Sequence, residues 1–261
     1  MYHYNGINLN VPPEVYPPQE DSLLLANSII PRGRVLEIGT GSGIVAITLA
    51  KKGHDVVATD LNPRALLATR QNAAANGVGG RVTVVRADLL SGIKGPFDTV
   101  VFNPPYLPSR PLGELRGIGE LGLPGALDRL ACGPACGQLG SRTPNRIDQE
   151  EEPRPGVMGE EEDGEKAHKD AEELDEPQDP DDWLSRSWMG GEGGSEVVDR
   201  FMGQLGPCLA SGGRGYLVVS SLTDFKLPRN SGLDYKVIAE QTEPFEKLYV
   251  LEVYRRSDQA R

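Results

Sequence analysis

Short apolar runs alternate with amphipathic stretches through the first hundred residues. Residues 34–38 (RVLEI), 55–59 (DVVAT), 81–86 (RVTVVR) and 97–102 (FDTVVF) have the length and the β-branched content of buried strands. Between them the pattern predicts helices over residues 22–30, 44–51 and 63–76. Asp21 or Ser22 is a candidate cap for the first helix, and Gly53 ends the second. Pro63 opens the third, and Gly77 lies just past its end. Residues 1–22 are polar and proline-rich and read as an extended lead-in. Strands alternating with helices in this way imply an α/β fold with a doubly wound, mostly parallel sheet. The regularity fails after residue 109 and resumes at Trp183. Residues 196–205 then read as an amphipathic helix and 215–220 as a strand. Residues 235–239 and 247–254 read as a terminal antiparallel pair.

The gap between the two patterned regions changes the meaning of the overall charge. The chain of 261 residues carries a formal net charge of −11. Residues 147–182 contain 17 acidic and three basic side chains, or −14, so the remainder carries −11 + 14 = +3. We therefore expect one folded domain built from residues 1–109 and 181–261. Residues 110–180 form an acidic, low-complexity insertion too polar to offset the entropy of ordering, hence disordered. Within it, residues 112–130 and 132–136 are less polar and read as a short helix and a turn. The acidic balance argues against tight binding to a phosphate backbone, which makes nucleic acid an unfavoured partner. No run reaches the roughly 20 apolar residues of a membrane span. The start has neither a basic nor an apolar leader pattern, and three scattered cysteines do not make a disulfide framework. These features lead us to expect a cytoplasmic protein. Neither His3, His54 and His168 nor Cys132 and Cys136 sit in a metal-ligand pattern, so no metal is expected.

Candidate chemistry clusters just after the strands, where ligands bind in such sheets. Glu37 precedes a turn of Gly39, Gly41 and Gly43. Glycines there let a ligand approach the backbone, but the pattern also occurs in dinucleotide folds. The carboxylate decides between them, because it would repel a pyrophosphate and suits a ligand bearing an ammonium and a sulfonium. That points to S-adenosylmethionine rather than NAD. Asp60 ends the second strand and can accept both hydroxyls of a ribose; alternatively it caps the next helix. Asp88 and Leu89 close the third strand, where an adenine amino group or a plain turn would fit equally. The fourth strand runs into Asn103-Pro104-Pro105-Tyr106. An amide nitrogen is a poor nucleophile, and its NH2 must be held in line with the methyl it receives. The Asn103 side-chain oxygen and the Pro104 carbonyl can each accept one N–H. The prolines stiffen the backbone and Tyr106 can stack on a flat target. The other explanation is a proline-rich turn with Asn103 capping its own backbone. Trp183 and Trp188 either line a groove or pack.

The segments VLEIGTGSG, ATDLNP and NPPYLPS, in this order, resemble the HemK-type protein-(glutamine-N5) methyltransferases. Two further pieces resemble their archaeal and eukaryotic branch. These are Val15-Tyr16-x-Pro18-x-Glu20-Asp21-Ser22 and Trp188-x-Gly190-Gly191-x-x-Gly194 followed by Val197 to Phe201. The resemblance covers residues 14–109 and 181–254. It implies a seven-stranded, Rossmann-like class I methyltransferase fold. It also implies cofactor contacts at Ser22, Glu37, Gly39, Asp60, Asp88, Leu89 and Asn103. The substrate it implies is the glutamine of the Gly-Gly-Gln loop of a peptide-chain release factor, held by residues 103–106. A small zinc-binding activator protein is the implied partner, covering an apolar sheet edge for which the third strand is the candidate. The chain departs from the family in placing about seventy residues between the Asn-Pro-Pro-Tyr and Trp-Gly-Gly segments. Two other readings stay open on the residues. One is a methyltransferase for a nucleobase (adenine N6) or for a protein lysine. The other is a non-catalytic scaffold that keeps the cofactor fold.

Overall fold

A computed structural model describes residues 1–107, 180–191, 194–223, 225–227 and 231–258. The expected insertion, with its helix, turn and disorder, lies outside these residues apart from its last position.

The chain opens with β1 (Tyr2–Tyr4) and β2 (Ile7–Leu9), an antiparallel hairpin rather than the expected extended lead-in. Asn5 and Gly6 make its two-residue turn with φ of 44° and 74°, the left-handed geometry that matches strand twist. Ile7 and Leu9 bury their side chains in the core. Asn72 and Asn76 clamp the segment from outside, each exchanging hydrogen bonds with the backbone of Asn10 and Asn8 respectively.

The elements that follow are α1 (Glu20–Ser28), β3 (Val35–Ile38), α2 (Ile44–Lys51), β4 (Val56–Asp60) and α3 (Pro63–Ala75). After them come β5 (Val82–Arg86) and β6 (Phe97–Phe102). Beyond the insertion lie α4 (Pro180–Arg186), α5 (Glu196–Cys208), β7 (Leu209–Ser220), β8 (Leu233–Thr242) and β9 (Lys247–Arg255). Seven strands form one sheet in the order β5-β4-β3-β6-β7-β9-β8. The first five run parallel, and β9 is antiparallel to both β7 and β8. This is the expected doubly wound sheet, with β5 at one edge.

Alternation along the strands divides the core in two. Val35, Val56, Val101 and Val218 pack with Leu25, Ile47 and Leu49 on one face. Leu36, Ile38, Val100, Phe102 and Leu217 meet Val198, Phe201, Met202 and Leu205 of α5 on the other. The i, i+3, i+4, i+7 spacing of those α5 residues is what makes the helix one-sided. Phe102 and Phe201 stack at 4.9 Å between centroids, which pins the end of β6 to α5. The chain order reverses between β3 and β6, so the crevice for a ligand opens at their carboxyl ends.

Two boundaries differ from the sequence reading in instructive ways. β7 begins at Leu209 rather than at Gly215. Leu209 already pairs with Phe97, and the register then shifts so that Arg214 meets Thr99. The intervening Ala-Ser-Gly-Gly is a bulge that looks like a turn in sequence. Neither Asp21 nor Ser22 caps α1. The cap position is Gln19, whose side chain makes no capping bond, and both residues are buried in the first turn.

Candidate functional site

The site is assembled at the carboxyl ends of β3, β4, β5 and β6, with α1 laid beside it. After β3, Gly39 and Gly43 hold φ of 64° and 85°. A Cβ on Gly43 would come 3.0 Å from Thr69 Oγ1, so α2 is seated against α3 through that glycine. The N–H of Gly41 donates to Asp60 Oδ2 at 2.9 Å, tying the turn to the end of β4. Asp60 Oδ1 accepts from the N–H of Asn62 at 2.9 Å. The helix cap is Asn62 itself, whose side chain accepts from the N–H of Arg64 at 2.8 Å. Asp60 is thus excluded as the cap of α3 and left facing the Gly turn.

Glu37 lies beneath this turn, 3% exposed, with Thr40 Oγ1 donating to its Oε2 at 2.8 Å. Burial pushes its pKa up to about 8, against the lowering bond from Thr40, and the neighbouring Asp60 adds to the rise. Burial also raises the pKa of Asp60. Glu37, buried, and Asp60, half-buried, thus bring two carboxyl groups with raised pKa values to the ends of neighbouring strands.

Asp88 and Leu89 follow β5. Leu89 is 7% exposed and takes φ 51°, a left-handed conformation uncommon outside glycine and often found where a ligand is gripped. Asp88 Oδ2 is paired with Arg200 Nη2 of α5 at 2.6 Å, a partner that the sequence alone does not reveal.

The Asn-Pro-Pro-Tyr motif departs from β6. Asn103 does not cap its own turn. Its Nδ2 donates to Ser22 Oγ at 3.2 Å, across 81 residues of chain. Its Oδ1 is buried and has no hydrogen-bond partner among the described residues. A buried amide oxygen left unpaired is costly, and such atoms mark places where a ligand completes the structure. Tyr106 Oη donates to Asp21 Oδ2 at 3.1 Å, and Tyr16 Oη donates to the same oxygen at 3.3 Å. Burial, reinforced by Asp21, raises both phenol pKa values, so both stay protonated donors. Glu246 lies close enough to add to these rises, and its own pKa is raised by burial.

The segment after the insertion buttresses the motif. Leu107 N–H donates to Trp188 O at 2.9 Å, and Gly190 N–H donates back to Leu107 O at 2.8 Å. A Cβ on Gly190 would fall 2.7 Å from Pro105 O and 2.4 Å from Gly194 O. Only glycine fits there, which explains the Trp-Gly-Gly pattern as a brace for residues 103–106. Trp183 is buried and lies under the guanidinium of Arg186, so it packs; Trp188 is half-buried.

The structure thus bonds Asn103 to Ser22 and Gly41 to Asp60, with Glu37 and Gly39 at the end of β3 between them, and Asp88 and Leu89 lie at the end of the edge strand β5. Asp21, Arg200 and Gly190 were missed as site residues by sequence reasoning. Asp21 resembled a helix cap, and Arg200 and Gly190 entered only as parts of the Trp-Gly-Gly segment with no role of their own.

The family model for the methyltransferase small domain matches residues 20–111. A protein of Methanocaldococcus jannaschii that is named, by inference, as a protein N5-glutamine methyltransferase is 29% identical, with 96% of each chain covered. Residues 20–111 thus carry a methyltransferase small domain, and the chain is similar to methyltransferases of the release factor glutamine methyltransferase type. Bacterial relatives of that type match over part of the chain. The enzyme of Deinococcus radiodurans is 46% identical over 31% of this chain and 29% of its own length. That of Moorella thermoacetica is 31% identical over 49% of this chain and 50% of its own. Among solved structures, the ribosomal protein L11 methylase of Lactobacillus delbrueckii superposes with a TM-score of 0.51 at 16% identity, covering 95% of this chain and 84% of that chain. The T. thermophilus 16S rRNA N2 G1207 methyltransferase, solved with AdoMet and guanosine, superposes with a TM-score of 0.52 at 14% identity. It covers 92% of this chain and 44% of that one. At such identities these two establish the fold alone.

Proposed function

We propose that this methyltransferase moves a methyl group from S-adenosylmethionine to the side-chain amide nitrogen of a glutamine, that of the Gly-Gly-Gln loop of a peptide-chain release factor. The observation that carries this reading is Asn103 Oδ1, buried and unpartnered at the end of β6. A primary amide of the substrate supplies the N–H this oxygen lacks, and its second N–H fits the Pro104 carbonyl.

The cofactor fits the residues present. Glu37 and Asp60 provide raised-pKa carboxyl groups suited to a cationic ligand, and the Gly turn gives it close access to backbone. In this reading Asp60 takes the ribose hydroxyls, Asp88 and Leu89 take the adenine edge, and Ser22 and Asn103 flank the methionine end. Bound there, S-adenosylmethionine supplies an electrophilic methyl on a positively charged sulfur. The protein then has to orient and to exclude. Asn103 and Pro104 hold the NH2 so that its lone pair faces the methyl, and holding reactants in line is worth several orders of magnitude in rate. Tyr106, anchored through its hydroxyl, offers its ring to the flat amide. No general base is needed before transfer, because the methylated nitrogen becomes acidic enough to lose its proton to water.

Asn103→Ala tests the assignment. Cofactor affinity should change by less than about threefold, while turnover should fall by about 100-fold or more, the pattern for a group that acts in the transition state. Turnover that survives Asn103→Ala would contradict it. A small zinc-binding activator remains part of the proposal, carried by the resemblance, with the edge strand β5 as the surface it would cover.

A further inference from the structure

A primary amide has two ends of nearly equal size and opposite hydrogen-bonding character. Turned by half a rotation about its last bond, Asn103 would present NH2 to the target nitrogen and could not hold it. Something has to set the orientation. Its neighbour Ser22 cannot do so alone, because a hydroxyl donates as readily as it accepts.

We propose that Asp21 is a positioning residue that polarises Ser22 and so fixes the Asn103 oxygen toward the substrate; this rests on reading Asn103 as the acceptor of the target N–H. Asp21 is 2% exposed. Its Oδ1 accepts from the Ser22 N–H at 2.6 Å and from Ser22 Oγ at 3.2 Å. The Ser22 proton is therefore engaged by the carboxylate, and the lone pairs of Oγ are left for Asn103 Nδ2 at 3.2 Å. The other carboxylate oxygen is held by the hydroxyls of Tyr16 and Tyr106, so Asp21 cannot swing away. Donors run in one direction only, from Asn103 through Ser22 into Asp21, and the Asn103 oxygen is left buried and unpaired. The same carboxylate fixes the Tyr106 ring, so both sides of the substrate amide are set from one buried point.

The backbone N–H of Ser22 makes the test specific. It can only donate, so in Asp21→Asn the new amide must keep its oxygen toward Ser22. The direction of the chain then survives. Asp21→Asn should retain kcat within about fivefold, whereas Asp21→Ala should lose about 100-fold at saturating cofactor with little change in KM for the release factor. Ser22→Thr and Ser22→Val form a second pair of equal shape that does not depend on Asp21→Ala folding. Thr keeps the hydroxyl and should turn over at least about tenfold faster than Val at saturating cofactor, whereas Val should match Asp21→Ala. In parallel, NMR of the isotope-labelled full chain reads the orientation directly. The Asn103 Nδ2 protons should show a cross-relaxation contact to the β protons of residue 22 in the wild type and in Ser22→Thr. That contact should weaken in Ser22→Val. Equal kcat and equal spectra for Ser22→Thr and Ser22→Val would overturn the relay. So would an Asp21→Asn as damaged as Asp21→Ala, which would assign the effect to charge. A wild type that leaves glutamine unmethylated while the NMR contact follows the hydroxyl would instead refute the substrate reading and uphold the relay.

Discussion

Glu37 and Asp60 show how single residues set the electrostatics of the crevice. A carboxyl buried at 3% exposure with a pKa near 8 is largely protonated at neutral pH, and a cationic ligand pulls it toward ionisation. The folded value is raised above the ordinary 4.5, so the folded state binds more protons than the unfolded one between about pH 4.5 and 8. Glu37 therefore costs stability progressively as pH rises through that window and no further above it. Cofactor binding has the opposite slope: affinity should increase as pH approaches 8, because the ionised form attracts the ligand. Calorimetric titration of Glu37→Gln against wild type across this range isolates the effect, since the ligand's own amine titrates equally in both. Glu37→Gln should bind more weakly at pH 8 and lose most of the pH dependence. An unchanged slope would remove Glu37 from the pocket. The residue-level signals legible in sequence were those tied to strand ends. Asp21 was not among them, because a carboxylate at a helix start looks like a cap whether or not it turns inward.

The strands and helices between residues 34 and 102 were legible within a residue or two. Glycine and proline punctuate them, and β-branched runs of four to six residues have few other uses. The elements that escaped did so for local reasons. The first hairpin hides in a proline-rich lead-in although its Asn5-Gly6 turn is a strong signal, and its strands are only three residues each. The start of β7 escaped because a bulge and a turn share the same glycines. The brace formed by Gly190 depends on close approach to Pro105, which no periodicity encodes. Gly190→Ala should displace residues 103–106 and lower kcat by more than tenfold, with a stability loss of about 1–3 kcal/mol, the usual cost of overpacking. Turnover and thermal melting measured on the same preparation separate the two. A full-rate Gly190→Ala would show that the brace does not shape the site.

At the scale of the molecule, the parallel half of the sheet supplies the loops that carry the site, and the antiparallel β7-β9-β8 end extends the core beneath it. The chain leaves the described residues at Leu107 and returns at Pro180, with Leu107 paired to Met189 beside the Asn-Pro-Pro-Tyr motif. No helix among the described residues is long and apolar enough to cross a membrane. The decisive measurement is transfer of label from S-adenosylmethionine to a purified release factor, with and without the small zinc-binding protein, beside a factor whose Gly-Gly-Gln loop carries Gln→Ala. Label on the wild-type factor that disappears with Gln→Ala is the expected result, and it would establish reaction and target together. No label in the presence of the activator, from a chain that still binds cofactor, would leave the methyltransferase fold in place and contradict glutamine as its substrate.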